Sequence, residues 1–237
     1  MIMGGVIPTI NVPGIRPNEL RLDGATLADI FAGKITSWND ARIKQLNPGV
    51  TLPDTRITVV HRADGSGTTW IFTNYLSKVS PSWQQEVGSD KAVSWPTGVG
   101  AKGNQAVANY ITRIKGAIGY VELAYVLENH MTSVLLKNRD GKFVAPTLAN
   151  LKAAAANADW KHTPGFAVVL TDQPGADSWP ITGATFMLLH APVSAARNAA
   201  LREFFAWCWR DGSAKAADLS YVPLPESLVK TIQASCA

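Results

Sequence analysis

Apolar and polar positions along this chain alternate with two different periods, and the changes of period mark its elements. Met1 to Asn11 reads as the interior of a buried strand, closed by the Pro13-Gly14 turn. After a short Leu20-Arg21-Leu22 run, Thr26 is placed to cap a helix with Leu27, Ile30 and Phe31 on one face, ended by a left-handed Gly33. Trp38 to Leu46 predicts a second short helix, stopped by Asn47-Pro48-Gly49. The run Ile57-Thr58-Val59-Val60 predicts a strand, and Trp70, Ile71, Phe72 and Tyr75 a helix reaching Lys78. Ser80-Pro81 is an N-cap and first-turn pair for a helix through Val87.

Beyond a glycine-rich stretch from Trp95 to Asn104, the pattern predicts a helix to Ile114, a strand over Gly116–Val121 and a helix over Glu122–Asn129. Ser133–Lys137 and Lys142–Val144 form a hairpin across Asp140-Gly141, and Thr147 caps an alanine-rich helix to Ala158. Strands are expected at Phe166–Leu170 and Thr185–His190, with Pro180 excluding a central strand in the Trp179-Pro180-Ile181-Thr182 stretch between them. Ser194 opens the longest helix, whose Leu201, Phe204, Phe205 and Cys208 share a face. Pro223 and Pro225 introduce the last helix. Strands alternating with helices throughout predict the α/β class.

Composition narrows the function classes. With 237 residues, 46% hydrophobic and 17% charged, the chain is globular and long enough for one large domain or two lobes. A net charge of +4 comes from scattered Lys and Arg, with no basic run or interleaved aromatic stripe, which favours a small anion over nucleic acid. Cys208 and Cys236 leave both a disulfide and two free thiols open. No apolar run reaches membrane-spanning length, and Met1 to Pro8 has no charged start or cleavage pattern of a secretory signal. His61, His130, His162 and His190 match no metal-ligand spacing, so neither a metal nor a cofactor is expected.

The densest chemistry is Arg62-Ala63-Asp64-Gly65-Ser66-Gly67-Thr68-Thr69, between the predicted strand and helix. A glycine-broken turn with hydroxyls at a helix start aims backbone N–H groups at one point, and Arg62, held by Asp64, adds a fixed positive charge. That suits a small tetrahedral anion, while a capped helix start beside a surface arginine accounts for the same residues. Three further readings stay open. Gly98-x-Gly100-x-x-Gly103, with Glu122 at the distance of a ribose-binding acid, matches a dinucleotide fingerprint, although Pro96 interrupts the strand it needs. Ser66 on a tight turn could be a hydrolytic nucleophile if a base reached it. Trp160, Trp179, Trp207 and Trp209 are read as core and interlobe packing, with a carbohydrate-stacking platform as the alternative.

The Arg62–Thr68 loop resembles the phosphate-binding loop of the periplasmic phosphate-binding proteins of bacterial ABC importers. So, in the same order, do Leu27–Ile35, Trp38-Asn39-Asp40, Leu46–Gly49, Trp95–Asn104, Gly116–Glu122 and Trp179–Thr182, covering essentially the whole chain. The resemblance implies a two-lobed, hinge-closing α/β fold with phosphate in the cleft, a permease as partner and a periplasmic location. It implies phosphate binding by Arg62, Ser66, Gly67 and Thr68, with Asp64 steering Arg62, and no enzymatic activity. It also implies that the sequence begins where family chains are about to enter their second lobe. Pro8 to Ala176 would then be a complete lobe, and Met1 to Ile7 with Asp177 to Ala237 part of the other. Binding would be impaired by the shortened amino end, and retention as a sensor or scaffold that no longer transports is an alternative.

Overall fold

The structure, a computed structural model, describes residues 2–187 and 195–235. The chain forms β1 (Ile2–Asn11), β2 (Arg21–Leu22), α1 (Gly24–Phe31), α2 (Ala41–Leu46), β3 (Thr58–Arg62), α3 (Gly67–Val79), α4 (Pro81–Glu86), β4 (Val99–Ala101), α5 (Gly103–Arg113) and β5 (Ala117–Glu122). It continues with α6 (Leu123–Glu128), β6 (Thr132–Ser133), β7 (Leu135–Lys137), β8 (Phe143–Val144), α7 (Leu148–Ala156), β9 (Thr182–Ala184), α8 (Ala195–Asp218), β10 (Val222–Pro223) and α9 (Glu226–Ser235). This is the α/β class that the alternation predicts.

β1 changes partners along its length. Its first residues pair antiparallel with β9, Met3 opposite Ala184 and Gly5 opposite Thr182, and with β10, Ile2 opposite Pro223. From Val6 onward it pairs antiparallel with β5, ending with Asn11 opposite Ala117, and with β6. β3 runs parallel to both β4 and β5. The carboxyl ends of these three strands therefore lie on one edge of the sheet, the edge where open α/β sheets take ligands. Ile7, Val60, Ile118 and Tyr120 are fully buried in the sheet, and Phe31 of α1 and Phe72 of α3 pack beside them, the Phe72 ring stacked on Tyr120 at 4.3 Å.

Several boundaries differ from the sequence pattern for local reasons. Asp23, not Thr26, caps α1: its carboxylate accepts the Thr26 N–H, because an aspartate three residues earlier fills the capping position. α2 begins only at Ala41, capped by Asp40, since Trp38 is drawn into the core and its indole N–H donates to the Gly116 carbonyl at 3.0 Å. No strand forms at Phe166–Leu170. Pro164–Phe166 is a 3₁₀ turn with Phe166 at φ 56°, and Val168 and Leu170 are buried without a ladder partner, so the apolar spacing reflects loop packing. Of the strand expected at Thr185–His190, Thr185–Met187 are not strand and residues 188–190 lie outside the described residues. β9 ends at Ala184, and the Trp179–Thr182 stretch leads directly into it: the Ile181 carbonyl accepts the Val6 N–H, and Pro180 stops just short of the ladder. His190, Ser194 and Cys236 lie outside the described residues, and among the described residues Cys208 has no disulfide partner. Among the described residues no helix is long and apolar enough to cross a membrane, and no His, Cys, Asp and Glu cluster could hold a metal.

Candidate functional site

β3 ends at Arg62 and α3 starts at Gly67, so the residues between them turn at the carboxyl edge of the sheet. Ser66 is the N-cap of α3, and its Oγ accepts the Thr69 N–H at 3.3 Å. The hydroxyl keeps its own hydrogen to donate. The Gly67 and Thr68 N–H groups precede the first intrahelical bond and lie at the positive end of the helix dipole. Gly65 and Gly67 have ordinary φ values, and a Cβ on either would meet nothing within 4 Å. Their lack of a side chain serves the open space beside them and not the chain path.

Arg62 is held by three side-chain hydrogen bonds to two residues. Its Nε donates to Asp64 Oδ1 at 2.8 Å and its Nη2 to Asp64 Oδ2 at 2.7 Å. Its Nη1 donates to Asn104 Oδ1 at 3.3 Å. A guanidinium has five N–H groups, so one hydrogen on each terminal nitrogen remains uncommitted. The side chain is only 10% exposed, which limits the water that competes for those two hydrogens. The Arg62 guanidinium and the Gly103 N–H, which donates to Oδ1 at 3.1 Å, hold the Asp64 carboxyl well below the usual carboxylate range. Behind the turn, the Tyr120 hydroxyl accepts the Arg62 backbone N–H at 3.2 Å and is bonded to Thr69 Oγ1 at 2.7 Å, and burial pushes its phenol up to about 12.

These groups open onto a cavity of about 480 Å³, also lined by Asn104, Glu122 and Tyr221, by the first half of β1 and by the end of β9. Arg62, Ser66, Gly67 and Thr68, predicted as one constellation, are thus brought together on one wall, and Asp64 supports Arg62 from behind. Sequence reasoning missed three residues. In the sequence Asn104 is marked only as the last residue of the glycine-rich Trp95–Asn104 stretch, and Glu122 only as a ribose-binding candidate. Tyr221 gave no local signal. Glu122 Oε1 in fact accepts the Thr68 hydroxyl at 3.1 Å, and its Oε2 lies 3.5 Å from the Tyr221 hydroxyl.

The competing readings lose their geometric basis. Gly100 lies within β4 and not in a strand-to-helix turn, and a Cβ there would stand 3.0 Å from that of Ala63. Gly98, at φ 108°, brings the chain so close that a Cβ would stand 2.6 Å from the Val59 carbonyl oxygen. These glycines let β4 approach β3, and the dinucleotide fingerprint is coincidental. Ser66 is engaged as a helix cap, and the carboxylate in the cavity takes Thr68 instead. His61 turns to its own side, with Nδ1 3.0 Å from the Arg62 carbonyl oxygen.

Residues 2–211 match the family model for the PBP superfamily domain. The phosphate-binding protein PstS of Xylella fastidiosa strain Temecula1 is 52% identical over 98% of this chain, and PstS of Pasteurella multocida is 50% identical over 98%. The chain spans 64% of the length of the first and 68% of the second. Among solved structures, a high affinity periplasmic phosphate-binding protein with bound phosphate matches with a TM-score of 0.68 at 20% identity, over 99% of this chain and 69% of that one. An ancestral soluble variant of the human phosphate binding protein gives 0.70 at 21%, over 99% and 70%. The structural matches establish the fold, and the family model and the sequence matches show that the chain belongs to the PstS family of phosphate-binding proteins within the PBP superfamily.

Proposed function

We propose that the chain binds inorganic phosphate in the cavity at the start of α3, as a periplasmic binding protein that delivers it to the membrane permease of an ABC importer. Arg62, Ser66, Gly67 and Thr68 donate to the anion, and Asp64 holds Arg62 in place. One observation carries this reading: a guanidinium locked by Asp64 and Asn104 presents two uncommitted N–H groups to the same cavity as the free N–H groups of a helix start. A tetrahedral oxyanion uses such convergent, charge-assisted donors to replace its hydration shell. The names of relatives at 50% and 52% identity support phosphate as the ligand. We read the chain as a binder and not an enzyme, a reading supported by the names of its relatives as phosphate-binding proteins.

We further read residues 8–176 as the lobe carrying the anion loop, and 1–7 with 177–237 as belonging to a second lobe. The change of partners within β1, from β9 and β10 to β5 and β6, supports a crossing between lobes near Gly5 and Val6. Isothermal titration with phosphate tests the ligand. The chain should give a saturable heat, and Arg62→Ala should weaken binding about 10- to 100-fold, the loss expected for a charged hydrogen-bond donor. No heat with the unaltered chain, or equal affinity after Arg62→Ala, would overturn the assignment.

A further inference from the structure

A carboxylate in an anion cavity calls for an explanation. Glu122 stands at the end of β5, where it precedes α6 without capping it. Its two oxygens face different parts of the molecule. Oε1 takes the hydroxyl hydrogen of Thr68, at the start of α3. Oε2 faces the hydroxyl of Tyr221, in the segment joining α8 to β10, at a slack 3.5 Å. The Tyr221 ring in turn lies against Gly4 of β1, 3.9 Å from where a Cβ would stand. All three side chains line the same cavity.

We propose that Glu122 is a positioning residue whose carboxylate is shared between Thr68 and Tyr221, so that filling the anion cavity and docking the Tyr221 segment are coupled. This rests on the phosphate reading for the identity of the anion. The Thr68 hydroxyl has one hydrogen and cannot give it to Glu122 and to an anion at once. When an anion takes it, Glu122 loses its shorter hydrogen bond and retains Tyr221 as donor. The carboxylate then draws the Tyr221 hydroxyl in from 3.5 Å, since a half-buried carboxylate that loses one donor gains by tightening its contact with the other. By linkage, a Tyr221 that is free to donate helps Thr68 leave Glu122 and so favours the anion.

Two measurements test this, one with ligand and one without. A double-mutant cycle on phosphate affinity compares Thr68→Val, Tyr221→Phe and the pair. The coupling predicts that Tyr221→Phe weakens binding on the order of threefold or more alone, and adds nothing once Thr68 is Val. Additive losses would overturn it. Without ligand, the Tyr221 ionisation is followed by tyrosine-selective NMR, identified by its absence in Tyr221→Phe. Glu122 already raises this phenol, with burial, Tyr125 and Glu128 adding to the effect. Thr68→Val should raise its midpoint further, by leaving the carboxylate to Tyr221, and Glu122→Gln should lower it. An unchanged midpoint in Thr68→Val would overturn the shared carboxylate. A chain that binds no phosphate would overturn the phosphate reading and the coupling built on it, while the ligand-free titration would still report on the sharing itself.

Discussion

Asp64 grips Arg62 through two parallel hydrogen bonds, Nε to Oδ1 at 2.8 Å and Nη2 to Oδ2 at 2.7 Å, and Oδ1 also takes the Gly103 N–H. One carboxylate thus joins the end of β3 to the start of α5. Planar, two-point contact fixes the guanidinium in orientation as well as position, which a lysine at the same place could not do. The site is preorganised from behind, by residues that leave its front free.

That arrangement has an acid limit. The Asp64 carboxyl is held below its ordinary value, so its contribution to stability is fully present above the unfolded value of about 3.9 and is lost as pH falls toward the folded one. The urea midpoint should therefore fall between pH 5 and pH 3 (on the order of the unfolded pKa), and fall less in Asp64→Asn. An equal fall in both would mean that the pair contributes nothing.

A second titration is reported optically. His61 is half-buried, stacked on Trp95 with ring centroids 4.7 Å apart, and burial holds its imidazole below the usual histidine range. Its contribution to stability is present above about pH 6.5 and is lost as pH falls through the folded value. Acidification should quench Trp95 fluorescence with a midpoint below that of a free imidazole, and the quench should vanish in His61→Gln. A quench surviving that substitution would assign it to another tryptophan.

The glycines of the second loop should behave as packing residues. Gly98→Ala places a Cβ against the Val59 carbonyl oxygen and forces a non-glycine residue to φ 108°. A loss of about 1–3 kcal/mol in unfolding free energy is expected, as for other strained backbone positions. Unchanged stability would mean that the close approach of β4 to β3 is not needed.

How much of this was legible in the sequence depends on how far each relationship reaches along the chain. The Arg62–Thr69 constellation could be read because strand, glycine turn, hydroxyl cap and helix start are neighbours, and anion geometry at a helix start is local. Asn104, Glu122 and Tyr221 could not. They meet their partners across sequence separations of 42, 54 and 99 residues, through the parallel register of β3, β4 and β5 and the return of the chain after α8. The Gly98–Gly103 spacing misled for a related reason: a pattern of glycines does not say whether a ligand or a neighbouring strand needs the space. Similarly, Phe166–Leu170 has the apolar residues of a strand, but Pro164 and Gly165 bend the chain away from any partner.

The long helix is another case where pattern and packing part. Leu201, Phe204, Phe205 and Cys208 share a face of α8, yet Phe204 is 47% exposed, with the adjacent Trp207 at 52%. Replacing Phe204 and Trp207 by serine should lower the binding of an apolar dye while changing the unfolding free energy by no more than about 0.5 kcal/mol per site. A larger loss of stability would show that this face is packed in solution.

On the proposed function, phosphate sits where the end of β3 meets the start of α3. Amide and arginine side-chain NMR of the labelled chain, titrated with phosphate, tests it most directly. The largest shifts should fall on the Gly67 and Thr68 amides and on the Arg62 guanidinium. Saturable shifts centred elsewhere, with these signals unmoved, would contradict it.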